Sequence, residues 1–231
     1  EIQTEVSIFP QPFFGQLKPV ADHIRGGAAQ TIRIGASSVV FREHLPQLLA
    51  GAREEFPALH PVLRVGIQPE IEKWLLENEI DLGVTVIDAK PPPELKSERL
   101  LELPIMLVVP AKSKIKSAEE ILGQDRIEQP LISLPVNEGI SRVFQTELAK
   151  RKIDWPIGME LNSVSLIDIY VNNGFGIGVS LALPGAKRAP GVKMLPLEGF
   201  SNVTIGALWR GQLSTVGASL VSRLKQHAQS L

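Results

Sequence analysis

Cysteine is absent from this sequence of 231 residues, and its absence removes disulfides, thiolate nucleophiles and cysteine-rich metal sites together. Histidine is also scarce, since the chain has only 4 histidines and they are scattered, so a zinc site lacks ligands. No stretch approaches the roughly 20 consecutive apolar residues that a membrane span needs. These features argue against a membrane protein, predict no bound metal and fit a cytoplasmic chain.

An excess of positive charge is missing too. The chain has 24 Lys and Arg against 25 Asp and Glu, for a formal net charge of -1. A domain that binds duplex DNA normally clusters positive charge to displace phosphate counterions, so we expect this chain alone not to bind DNA. Residues 1–14 have neither the basic start nor the apolar core of a signal peptide.

The first part of the chain alternates strand and helix patterns, with Ser37 and Ser38 as N-caps of the first helix. The segments are strand 31–36, helix 38–56, strand 62–67, a helix that begins near Pro69, and strand 82–87. Parallel neighbours need a long return path, so strands separated by helices favour a parallel sheet with right-handed crossovers.

The alternation restarts after a polar stretch and predicts a second lobe. Its segments are strand 131–134, helix 139–152, strand 157–161, helix 163–173 and strand 175–180. Two long strands, 103–109 and 203–209, bracket this lobe, and we interpret them as crossings between lobes. The terminal helix then packs back on the first lobe, which comprises residues 31–109 and 203–231, and residues 110–202 form the second lobe around a shared cleft.

Candidate binding residues follow from this topology. In open α/β sheets, ligands bind beyond the carboxyl ends of strands, where helix N-termini present unpaired amides. The predicted ligand-binding residues at such turns are Ser37, Ser38, Gln68, Thr85, Asn137 and Ser163. Ser and Asn are also common N-caps that stabilise a helix by ~1 kcal/mol without any ligand, so a purely structural role stays open for each.

The glycine-rich segment 174–178 is similar at first sight to a phosphate-binding loop. It lies between a helix and the following strand, however, whereas a phosphate-binding loop lies between a strand and the following helix. The pattern instead predicts a helix C-cap at Gly174 and close backbone packing of the strand after it.

Few residues have the chemistry for catalysis or charge recognition. His44 is the best acid–base candidate, although a partly exposed helical histidine is the simpler interpretation. Glu70 and Glu138 lie near cleft turns, where first-turn acids also complement the helix dipole. Arg42 and Arg142 would pair with the carboxylate of an anionic effector, but solvated arginines are simpler. With no evident nucleophile, carboxylate pair or metal cluster, we predict neither catalysis nor a cofactor.

Three stretches resemble the effector-binding domain of LysR-type transcriptional regulators, and their order extends the similarity from Thr31 nearly to the end of the chain. They are Thr-Ile-Arg-Ile-Gly-Ala-Ser at 31–37, Leu-Glu-Asn-Glu-Ile-Asp-Leu-Gly-Val at 76–84, and Val-Asn-Asn-Gly-Phe-Gly-Ile-Gly-Val at 171–179, followed by Pro184. None of these stretches is a catalytic signature.

The resemblance implies an α/β, periplasmic-binding-protein-like fold of type 2, in which two Rossmann-like lobes joined by two crossover strands enclose a small effector of unknown identity. It also implies a winged helix-turn-helix before this chain as the only part that contacts DNA, with residues 1–30 as the remainder of a linker. Family members pair side by side, so helices 38–56 and 139–152 are the expected contacts of a homodimer or homotetramer.

Two other functions share this scaffold. A solute-binding protein of a transporter would have a signal peptide or a lipid anchor in place of the DNA-binding domain. An enzyme on the same two lobes would retain turnover in the purified chain and lose it in the Ser37→Ala variant.

Overall fold

The computed structural model describes residues 30–87, 91–185 and 189–231. The predicted linker, residues 1–30, therefore lies outside the described residues except for Gln30. The described residues form ten strands in two five-stranded sheets, with helices packed against both sheets.

The helices and strands have the following bounds. The strands are β1 (Gln30–Ala36), β2 (Leu59–Val65), β3 (Leu82–Val86), β4 (Leu95–Leu103), β5 (Ile105–Pro110), β6 (Leu131–Ser133), β7 (Ile157–Glu160), β8 (Ile177–Leu181), β9 (Val192–Pro196) and β10 (Val203–Arg210). The helices are α1 (Leu45–Glu55), α2 (Gln68–Leu76), α3 (Glu119–Leu122), α4 (Gly139–Lys150), α5 (Val164–Asn172) and α6 (Thr215–Gln229), and a π-helical turn (Val40–His44) precedes α1.

The first sheet has the strand order β2-β1-β3-β10-β4. β1 runs parallel to both β2 and β3, with Ile34 opposite Leu63 on one side and Leu82 on the other. The predicted parallel arrangement of the first three strands is thus confirmed. β10 runs antiparallel between β3 and β4.

The second strand is displaced from its predicted position at 62–67. β2 begins at Leu59 and ends at Val65, because it pairs in continuous register with β1 from Gln30 opposite Leu59 onwards. Pro61 lies inside β2, although the sequence suggested that it would precede the strand. A proline is tolerated there because β2 is an edge strand, where one side of the backbone needs no ladder hydrogen bond.

The second sheet has the order β7-β6-β8-β5-β9. β6 runs parallel to β7 and β8, whereas β5 runs antiparallel to β8 and β9. The glycine-rich segment behaves as a helix end followed by a packed strand. Gly174 has a positive φ of 80°, and a Cβ at Gly178 would lie 2.3 Å from a side-chain carbon of Ile167.

The chain changes sheets at Pro104, between β4 in the first sheet and β5 in the second. It returns between β9 in the second sheet and β10 in the first. The lobe boundaries 31–109, 110–202 and 203–231 remain a prediction, and strand pairing places the first change of sheet inside the segment expected to cross, 103–109.

Each sheet has its own buried apolar cluster. Val216, Leu220 and Leu224 of α6 share a cluster with Ile34 of β1, so the terminal helix packs on the first sheet as predicted. On the second sheet, Phe144 of α4 is fully buried and packs edge-on against Trp155, with ring centroids 6.2 Å apart.

Candidate functional site

A cavity of about 120 Å³ lies between the two sheets. This volume is close to the roughly 150 Å³ of an engineered protein cavity that holds one benzene molecule. Most of the lining is apolar, and five of the six predicted binding residues are part of it. These five are Ser37, Ser38, Gln68, Thr85 and Ser163. Their role in ligand binding remains a prediction.

Ser37 and Ser38 lie at the junction between β1 and the first helical turn. Helical residues start at Ser38, and the amide of Val40 lies 3.5 Å from the Ser37 hydroxyl oxygen. The amide of Phe41 donates to the carbonyl of Ser37 at 3.2 Å. Ser37 is therefore the N-cap, and both serines line the cavity at the positive end of the helix.

Ser163 occupies the equivalent position on the second sheet, just before α5. Its backbone is extended, with φ -150° and ψ 127°, yet its hydroxyl makes no capping hydrogen bond to α5. The amide of Leu166 instead donates to the Ser163 carbonyl at 3.1 Å. Helix capping therefore does not account for the Ser163 side chain, which lines the cavity.

Gln68 links the two sides of the cavity. Its side chain is only 1% exposed. The Nε2 group donates to Oε1 of Glu72 at 2.8 Å, and Oε1 accepts from Nη2 of Arg142 on α4 at 3.2 Å. The sheets approach closely here, because a Cβ at Gly139 would lie 2.4 Å from Val86 and 2.6 Å from Gln68 Oε1.

Asn137 is not brought into the cavity, and it does not cap α4 as the sequence suggested. Its residue is exposed, and its backbone carbonyl accepts from Arg142 Nη1. The N-cap is Glu138, because the first helical bond runs from the amide of Arg142 to the Glu138 carbonyl at 2.9 Å. Oε2 of Glu138 accepts from the amide of Ile140 at 2.7 Å, and this buried residue lines the cavity.

His44 also lines the cavity, and it is paired there with a residue that the sequence reasoning missed. Its Nδ1 lies 3.0 Å from Nε2 of His227 on α6. Burial, and then the proximity of His227, lower the pKa of His44 from its ordinary value. The signal for His227 was available, because it follows Leu220 and Leu224 at helical spacing on the buried side of α6.

The remaining charged candidates have structural partners. Glu70 Oε2 accepts from the amide of Ile67 at 2.9 Å, which closes the start of α2 as a first-turn acid should. Arg42 pairs with Glu43 at 2.6 Å and does not line the cavity. Arg142 is not part of the cavity lining either and contacts Gln68 instead.

Within residues 30–87, 91–185 and 189–231, no three His, Asp or Glu side chains lie close enough to hold a metal ion together. No helix in the same residues is both long and apolar enough to cross a membrane.

The chain has recognisable relatives. A family model described as the LysR substrate binding domain matches residues 25–229. The HTH-type transcriptional activator CmpR of Synechocystis sp. is 25% identical over 191 residues, which cover 80% of this chain and 61% of CmpR. The chain spans about half to three-fifths of the length of the first curated relatives it matches.

Solved structures show the same fold at low identity. The regulatory domain of Synechocystis PCC6803 CcmR in complex with 2-PG has a TM-score of 0.72 at 18% identity, covering 87% of this chain and 98% of that one. The effector binding domain of QuiR in complex with shikimate has a TM-score of 0.74 at 14% identity, covering 88% and 99%.

The predicted type 2 periplasmic-binding-protein-like fold is confirmed by these likenesses. The family match extends over most of the chain, and the curated relatives are transcriptional regulators. This chain therefore belongs to the LysR substrate-binding domain family.

Proposed function

We propose that this chain senses a small molecule held in the cavity between its two sheets and passes that state to an attached DNA-binding domain. The observation that carries the proposal is the polar lining contributed from both sheets, Ser37, Ser38, Gln68 and Thr85 from the first and Ser163 from the second. The fold relatives CcmR and QuiR carry 2-PG and shikimate in their structures.

A ligand in this position acts through both sheets at once. A molecule that contacts residues of both sheets favours the arrangement in which they lie close, as they do at Gly139. Binding shifts the conformational equilibrium only by the difference in affinity between the two arrangements. In an oligomer, the resulting movement changes the spacing of the DNA-binding domains on an operator.

The DNA-binding domain lies outside this chain. The net charge of -1 offers this chain no electrostatic excess for binding a duplex. By its likeness to the LysR family, a winged helix-turn-helix preceding residue 1 makes the contacts with DNA. The domain itself binds and releases its effector without chemical change. The proposed role in transcription implies that the full-length protein works in the cytoplasm.

The domain assembles as a homodimer or within a homotetramer, with α1 of one subunit beside α4 of the next. Three residues of the edge strand β2 support an association surface adjoining α1. Val62, Leu63 and Val65 are 43%, 45% and 61% exposed. An exposed, apolar edge strand favours association with a second protein surface.

A metabolite screen tests the proposed function. A compound selective for the folded chain raises its melting temperature, and the same compound should alter operator binding by the full-length regulator in a gel shift. The isolated chain should bind no duplex at physiological salt. If compounds that bind the chain never affect operator binding, the regulatory role is wrong, and the solute-binding alternative regains support.

A further inference from the structure

The described wall of the cavity contains no lysine or arginine, and the side chains there that can gain a positive charge are His44 and His227. They come from different parts of the fold. His44 ends the π-helical turn before α1, and His227 lies in the last turn of α6. Single π-helical turns are rare and often mark functional positions.

The two imidazole rings are arranged to share one proton. His44 Nδ1 and His227 Nε2 are 3.0 Å apart, the distance of a direct hydrogen bond. When both rings are neutral, one N–H donates to the lone pair of the other. One added proton keeps this bond and makes it charge-assisted, but a second would set two N–H groups against each other. The geometry therefore lets the pair hold one added proton without losing its hydrogen bond.

The surroundings of His44 disfavour its charged form in the ligand-free chain. The pKa of His44 is lowered by burial and by His227, and the nearby Glu43 carboxylate raises it by a smaller amount. On α1, the neutral side chain of Gln47 lies 3.1 Å from His227 Nδ1. On the second-sheet side, a Cβ at Gly185 would lie 3.9 Å from His44.

The helix N-termini that line the cavity also favour a negatively charged ligand. The first turn of α5, which Ser163 precedes, has no acidic residue, and the Ser163 hydroxyl makes no capping bond. By contrast, the starts of α2 and α4 are closed by their own carboxylates, Glu70 and Glu138. The helix start beside Ser163 is thus open to an outside acceptor, and it lines the same small cavity as the histidine pair.

We infer that the effector is a small, largely apolar acid, and that the His44–His227 pair takes up one proton when this acid binds. The inference rests on the proposed function and adds the ligand class and its linkage to pH. The apolar walls hold the body of the ligand, and the shared imidazolium together with the Ser163 helix start balances its charge. Affinity then falls as the pH rises, because above the pair's titration range each binding event must also bind a proton.

The test uses the 231-residue chain and three acids, benzoate, hexanoate and cyclohexanecarboxylate, each beside its primary amide as a neutral control. Isothermal titration calorimetry at about pH 6 and about pH 8, in buffers of different ionisation enthalpy, measures affinity and proton uptake together. We expect at least one acid to bind roughly 10- to 100-fold more tightly at the lower pH, with up to one proton taken up. The amides should show neither effect.

Glutamine variants of the two histidines test whether the His44–His227 pair takes up the proton. His44→Gln and His227→Gln each leave one ring without its partner, and each should abolish the pH dependence and the proton uptake. His60→Gln is the matched control, because His60 lies exposed on β2 and does not line the cavity. Having one variant on the π-helical turn and one on α6 keeps the test valid if either variant fails to fold.

Three results would overturn the inference. These are binding of none of the acids, equal binding of acid and amide at both pH values, or a pH effect that persists in both glutamine variants. Binding of a neutral compound without proton uptake, weakened by Ser163→Ala, would overturn the inference while leaving the proposed function in place.

Discussion

Arg142 on α4 and Gln68 on α2 join the two sheets, with Arg142 Nη2 donating a hydrogen bond to Gln68 Oε1 at 3.2 Å. α2 packs on the first sheet through Ile71, and α4 packs on the second through Phe144. The bond therefore exists only while the sheets lie close together. It stabilises the arrangement that encloses the cavity.

Arg142→Ala should weaken effector binding without removing a residue that lines the cavity. Losing a hydrogen bond from a charged donor costs about 1.5–3 kcal/mol, and such a cost lowers affinity by roughly 10- to 150-fold when it falls only on the closed arrangement. Calorimetry with a compound from the screen measures the change. Arg126→Ala, at an exposed position, is the control, and equal affinities in the two variants would show that the bond has no part in closure.

Ser37→Ala and Ser163→Ala should each reduce effector affinity by two- to tenfold, the effect of losing one hydrogen bond of about 0.5–1.5 kcal/mol. Both serines line the cavity. Ser163→Ala should leave the melting temperature unchanged, because its hydroxyl does not cap α5. Ser97→Ala, on the exposed side of β4, is the matched control. Unchanged affinity in both cavity variants contradicts the site assignment.

Sequence patterns recovered most of the strands but missed two of the four edge strands, β4 and β9. β4 was not predicted, because as an edge strand it buries fully only Leu95 and Leu103 and exposes charged residues such as Lys96 and Glu102. β9, an edge strand of the second sheet, buries only Leu195 fully. Neither strand shows the apolar run or strict alternation that identifies a strand in a sequence.

The cavity was predictable as a set of strand ends but not as a set of side-chain pairs. Ser37 and Ser163 follow from the rule that ligands bind beyond the carboxyl ends of strands. The pair formed by His44 and His227 joins positions 183 residues apart, and no local pattern reports such a contact. Asn137 was misplaced because Asn is a favoured N-cap residue and Glu is not, yet the helical register puts Glu138 at the N-cap of α4.

Glu147 on α4 binds the segment between β9 and β10, through which the chain returns to the first sheet. It accepts hydrogen bonds from Lys150, Ser201 and Arg151, which together lower its pKa to about 2. A carboxylate with a lowered pKa stabilises the fold above its ordinary value of 4.5, and this contribution is lost as the pH falls from 4.5 towards 2.

Glu147→Gln should therefore lower the free energy of unfolding by about 1–3 kcal/mol at pH 7, the cost of losing charged hydrogen bonds. The difference from the unchanged chain should shrink below pH 4.5, where Glu147 itself becomes protonated. Urea denaturation at several pH values measures it. Glu54→Gln, at an exposed helical position, is the control, and a difference independent of pH down to about 2 would contradict the assignment.

Leu63→Lys should weaken self-association of the chain. Leu63 is 45% exposed on the edge strand β2, and a lysine on an edge strand opposes pairing with another surface. Light scattering with size-exclusion chromatography measures the oligomeric state across a concentration series. Ile169→Lys changes an equally exposed residue, 48%, on α5 of the second sheet and should leave association intact. The opposite pattern would place the interface elsewhere.

The position of a bound effector tests the account most directly. We would determine a crystal structure of the chain with the compound that most raises its melting temperature. The account predicts electron density for that compound between the two sheets, with polar contacts to Ser37 or Ser38 on one side and to Ser163 on the other. Density at any other surface, with an empty space between the sheets, would contradict it.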